Sequence, residues 1–73
     1  MLTKEDLKEY GSVVRCEKHG SREFHVIING FENNAIASFK LLGLINEKTN
    51  NEYPYVSRFT VDEEKFVLHL KKK

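Results

Sequence analysis

The sequence predicts a two-layer α+β domain in the order short helix, β-hairpin, helix, β-hairpin. A four-stranded antiparallel sheet would carry the second helix packed on one face. Three observations lead there. Apolar and polar residues alternate through 12–29 and again through 55–70, the period-two mark of half-buried strands. Between them Ile36, Phe39 and Leu42 recur at helical spacing. Glycine, asparagine or proline punctuates the ends of these stretches.

The first element has start and stop signals of its own. Thr3 is the N-cap, and Asp6 three residues on is an acidic variant of the capping box. Leu2 and Leu7 have the spacing of a hydrophobic staple, and Gly11 fits the stop. Only Leu7 and Tyr10 share an apolar face. So short a helix is marginal in water and has to dock.

In 12–29, Val14, Cys16, Phe24, Val26 and Ile28 are all even-numbered. They share a face only if paired residues have an even sum. A three-residue loop Lys18-His19-Gly20 meets that condition and sets Val14 opposite Phe24 and Arg15 opposite Glu23. The main helix is expected over 33–42, with Asn33 as N-cap and Gly43 as left-handed stop. Polar residues 46–54 then form a surface loop ending at Pro54. In 55–70 the inward set is Tyr55, Phe59, Val61, Phe66, Leu68 and Leu70. A loop over 62–65 closes this hairpin with Val61 opposite Phe66 and Phe59 opposite Leu68.

Size and charge bound the function. The 73 residues fit one domain, whose core supplies only about 3–5 kcal/mol by itself. No apolar run is long enough for a membrane span and no leader-like start is present, so a cytoplasmic protein is expected. One cysteine excludes an internal disulfide, and without C-x-x-C no thiolate zinc site is expected. Twelve basic residues face eleven acidic ones, and three of the twelve are Lys71, Lys72 and Lys73, read as a flexible basic tail. The remaining body, with nine basic and eleven acidic residues, lacks the basic excess of a dedicated DNA binder.

Chemistry-bearing motifs are few. His19 sits in the first turn; the pool for a metal site is His25 and His69 on the outward strand faces and Cys16, which parity puts on the opposite face, so neither metal nor cofactor is expected. No phosphate-binding glycine loop and no paired-carboxylate motif is present. Leu41 to Ile45 resembles the end of a winged-helix recognition helix, but a hairpin occupies the place of the preceding helix-turn-helix. Gly20-Ser21 is followed by Arg22 where hairpin-type mRNA interferase toxins have histidine, and that family is not assigned.

The expected function is therefore a small non-enzymatic module acting by protein–protein contact, of adaptor or inhibitor type, in a chain of phage or mobile-element character. Parity puts Val13, Ile27, Val56 and Val67 among charged residues on the outward sheet face, an apolar strip with a charged rim. The candidate contact set is Arg15, His25, Ile27, Arg58, Val67 and His69. The small core also favours a homodimer. The alternative is a nucleic-acid binder using Arg22, Tyr53, Tyr55, Lys71, Lys72 and Lys73 for charge and stacking. A third reading is a small ribonuclease with His25 as base and Arg22 on the phosphate.

Overall fold

The computed structural model describes residues 2–62 and 65–73, with side chains for all of these except Arg58, Phe59, Val61 and Asp62. It is a small α+β fold with one four-stranded antiparallel sheet and one main helix. A 3₁₀ helix (Glu5–Tyr10) precedes strands β1 (Ser12–His19) and β2 (Glu23–Asn29). Helix α1 (Ala35–Lys48) follows, then β3 (Tyr55–Asp62) and β4 (Lys65–Lys71). The strand order is β1-β2-β4-β3, so β2 and β4 are central.

The core lies between α1 and one face of the central strands. Phe24, Val26 and Ile28 of β2 and Phe66, Leu68 and Leu70 of β4 are all buried, as their alternation predicts. Leu41 and Ile45 of α1 close over them, four residues apart and both fully buried. Leu2, Leu7, Phe31 and Tyr53 complete the cluster. The Tyr53 ring packs against Phe24 at a centroid distance of 5.4 Å, and Phe31 against Phe66 at 4.3 Å.

The first helix is 3₁₀ rather than α. The Asp6 carboxylate reaches back to accept from the Thr3 N–H at 2.9 Å and the Thr3 hydroxyl at 3.1 Å. The Asp6 half of the expected capping box is thus formed, but Thr3 caps nothing with its own oxygen. Six residues cannot amortise α-helix nucleation, and the tighter turn aims Leu7 into the core. This helix docks against β1 and α1, with Lys48 Nζ 4.0 Å from Asp6 Oδ1. It therefore sits on the α1 side and leaves the other sheet face uncovered.

The N-cap of helix α1 falls one residue later than expected, and the helix ends six residues further on, at Lys48. Asn34 is the N-cap, its side chain accepting from the Ala37 N–H at 2.8 Å. Gly43 does not stop it. A helical glycine costs about 1 kcal/mol, and the burial of Ile45 beyond it outweighs that. The stop is Asn50-Asn51, both left-handed, with the Asn51 N–H donating to the Asn46 carbonyl at 2.7 Å. The extension also rotates the buried face: Ile36 and Phe39, expected inside, are outside.

Both edge strands carry a β-bulge. In β1 the register shifts between Val13 and Arg15, so Val13 and Cys16 pack on the core while Val14 is exposed. This exchanges Val13 and Val14 relative to the simple alternation. The turn closes with His19 opposite Glu23, two residues further along than the Lys18-His19-Gly20 loop. Parity is kept, and Gly20 takes the left-handed position with φ 71°. In β3 the shift falls between Val56 and Arg58. Beyond it Val61 pairs with Phe66 and Phe59 with Leu68, as expected. Before it Val56 pairs with Leu70 and Tyr55 is exposed, reversing their expected faces. The Ser57 hydroxyl at the bulge donates to the His69 carbonyl at 3.2 Å. Of the expected 62–65 loop, Glu63 and Glu64 lie outside the described residues, and Asp62 pairs with Lys65.

Candidate functional site

The uncovered sheet face is built by register. From β1 it takes Arg15, Glu17 and His19, from β2 Glu23, His25 and Ile27, and from β4 Val67, His69 and Lys71. His25 sits directly opposite His69 on the neighbouring central strand and opposite Glu17 on the edge strand. His19, opposite Glu23, lies diagonal to it.

The three histidines form one stack. The His19 and His25 rings are 4.4 Å apart at 18°, and His25 and His69 are 4.1 Å apart at 22°. His25 is the middle ring and is only 6% exposed, although it lies on the solvent side of the sheet. Its Nε2 is buried with no hydrogen-bond partner among the described residues. The Glu23 carboxylate stands 3.9 Å from it, which is too long for a hydrogen bond. Burial pushes the His25 imidazole below its usual pKa, and the neighbouring His69 and His19 push the same way. The resting ring is neutral at physiological pH.

The expected contact residues differ in exposure. Arg15 is exposed and paired with Glu17 at 3.4 Å. Ile27, Val67 and His69 are half-buried. Arg58 pairs with His69 in the register, and its side chain lies outside the described set. His25 is enclosed by its neighbours, so it cannot offer its ring directly to a protein partner. A general base must reach the proton it takes, and the enclosed Nε2 does not present itself to an RNA hydroxyl.

The nucleic-acid set is split. Tyr53 is 2% exposed, its ring committed to the core against Phe24, so it is not free to stack a base. Tyr55 is exposed and opposite Lys71. Arg22, Glu23, Lys71 and Lys72 line one shallow corner. The terminal lysines, expected as a flexible tail, are placed by strand pairing and backbone hydrogen bonds. Lys71 ends β4, the Lys72 N–H donates to the Arg22 carbonyl at 2.7 Å, and the Lys73 N–H to the Glu52 carbonyl at 2.9 Å.

A second surface escaped the sequence reading. Phe39 is 78% and Ile36 70% exposed on the side of α1 facing away from the sheet. Ala35 and Gly43 are exposed beside them and Leu42 is half-buried. Helix α1 is thus apolar on two opposite sides, one closing the core and one in water. A cleft of about 600 Å³ adjoins this ridge between the 3₁₀ helix and the start of α1, lined in part by Tyr10, Gly30, Phe31, Ile36 and Lys40. The missed signal is that Leu41 and Ile45 compete with Ile36 and Phe39 for the core, and one helix cannot bury both sides against a single sheet.

No protein-family model matches the chain, and no curated protein or solved structure is significantly similar to it. Among the described residues no helix is long and apolar enough to cross a membrane.

Proposed function

We propose that the protein is a non-enzymatic binding module that docks the outer ridge of α1 into an apolar groove of a partner protein. The observation that carries this reading is the exposure of Phe39 and Ile36 on a helix that already buries Leu41 and Ile45. A helix apolar on two opposite sides has a second side to cover beyond the one that closes the core. Full burial of each of these two side chains is worth roughly 1.5–3 kcal/mol, so the ridge holds binding free energy that folding leaves unused. Ile36, Phe39 and Gly43 have the spacing by which a helix enters a groove. Lys40 and Glu47 at its margin give a rim of mixed sign, which suits a protein better than a phosphate backbone. A second copy would set one convex ridge on another. A stable pair needs about 800 Å² from each partner, more than one narrow ridge supplies.

Two measurements test this. Light scattering on the purified wild type is expected to show a monomer, and a dimer abolished by Phe39→Asp would overturn the groove in favour of self-association. Capture from nuclease-treated host extract is then compared for wild type and Phe39→Asp. A protein held by the first and lost by the second supports the reading. A protein held equally by both refutes it.

A second reading is favoured by the corner where Arg22, Lys71 and Lys72 meet beside exposed Tyr55. Nucleic acid bound there would be released steeply as salt rises and would survive Phe39→Asp.

A further inference from the structure

The structure assigns a divalent transition-metal site to Glu23, His25 and His69 on the open face of the sheet, independently of the α1 ridge. Each of the three offers one ligand atom, and these atoms lie within 4.8 Å of one another. The register makes the cluster: Glu23 and His25 are two apart on β2, hence on one face, and His69 is opposite His25 on β4. The independent observation is His25 itself. Its ring is held between His19 and His69, its Nε2 is buried, and no group among the described residues satisfies that atom. Buried polar atoms in folded proteins almost always have a partner, and this one faces a carboxylate 3.9 Å away.

The donor set selects the ion. Two imidazole nitrogens and one carboxylate oxygen suit zinc and its neighbours. Calcium and magnesium want oxygen ligands throughout. Three protein ligands leave a fourth position to water or to a donor from outside, as in zinc sites that are not purely structural. Ligand legs of about 2.0–2.1 Å in a tetrahedral site bring the donor atoms to about 3.3 Å from one another, so the cluster has to contract. His25 is fixed by its stack. His69 is half-buried and the Glu23 side chain is 39% exposed, and these two have the freedom to swing inward. Closure separates the His25 and His69 rings from their stacked arrangement and converges their nitrogens on one point. His19 is exposed and flanks the site without belonging to the converging set.

The experiment uses the full chain without a histidine tag, stripped with chelator and then titrated with Zn²⁺ by calorimetry and with Co²⁺ by visible absorption. One equivalent is expected to bind with a dissociation constant on the order of 1 μM or tighter. The cobalt form should show the intense d–d bands of a four-coordinate site. His69→Gln and Glu23→Gln, at positions not fully buried, are expected to stay folded by circular dichroism and to weaken zinc at least about tenfold. His25→Phe should abolish one-equivalent binding, and His19→Ala should change it less than about threefold. Binding weaker than on the order of 100 μM in the wild type, or one-equivalent binding unchanged in folded His69→Gln, overturns the assignment.

Discussion

Replacing His25 by phenylalanine removes the orphaned Nε2 while keeping a flat ring between His19 and His69. The metal-free variant should be more stable than the wild type. An unsatisfied buried polar atom costs about 1–3 kcal/mol. The low end applies here, because His25 lies on the solvent side of the sheet and is still 6% exposed. A gain of about 1 kcal/mol moves the urea midpoint of so small a domain by about 1 M and its melting temperature by roughly 4–8 °C. The gain should grow in acid. The His25 pKa is lowered by folding, so below the ordinary imidazole value of 6.5 the unfolded chain takes up a proton that the native chain resists. That stability is complete above 6.5 and is lost as pH falls through the folded-state value. The loss is at most about 1.4 kcal/mol per pH unit, and phenylalanine abolishes it. Urea unfolding followed by far-ultraviolet circular dichroism, in chelator at pH 8.0 and 5.5, reads both effects. A variant less stable than wild type at pH 8.0, or one with the same acid dependence, would refute the account of His25 as an unsatisfied, neutral, enclosed ring.

Other substitutions probe the frame. Leu41→Ala empties the fully buried centre of α1 and should cost about 2.7–5 kcal/mol, against roughly 3–5 available to so small a core, so its helical circular dichroism should be largely lost at 25 °C. Gly11→Ala should destabilise by more than about 1 kcal/mol, read as a lower thermal midpoint. Gly11 has φ 143°, and a Cβ there would fall on the Asn29 carbonyl oxygen and 2.8 Å from Ile28 Cγ2. Burial pushes the Cys16 thiol up to about 11 from 9.0, which lowers its thiolate fraction about 100-fold at neutral pH. Its reaction with an aromatic disulfide reagent should be slow in the native protein and rise at least that much in denaturant.

The central strands were legible because each is paired on both edges and buries one face of its alternation. One residue of slip in β2 would drive Phe24, Val26 and Ile28 into water. Edge strands lack that penalty on their open side, so the bulges at Val14 and Ser57 leave no trace in the alternation. Helix α1 misled in two linked ways. Gly43 reads as a stop by local propensity, but Leu44 and Ile45 continue the helix because tertiary burial outweighs the glycine's cost. Once the helix extends, Leu41 and Ile45 win the core and Phe39 leaves it. The histidine cluster was visible only in part. Parity set His25 and His69 on one outward face, but only the pairing of β2 with β4 makes them neighbours, and side-chain packing makes His25 an enclosed ring on a face expected to be wet.

The strand order has a kinetic consequence. Neighbours along the chain supply the β1–β2 and β3–β4 pairings, each able to form locally within microseconds. The β2–β4 seam is different, because it joins segments on either side of α1 and pays its loop closure late. His25 and His69 lie on opposite sides of that seam. Their ring stack therefore comes into being only when the two halves of the chain zip together, and the mutual ring-current shifts of their imidazole protons report the last step of folding rather than the first.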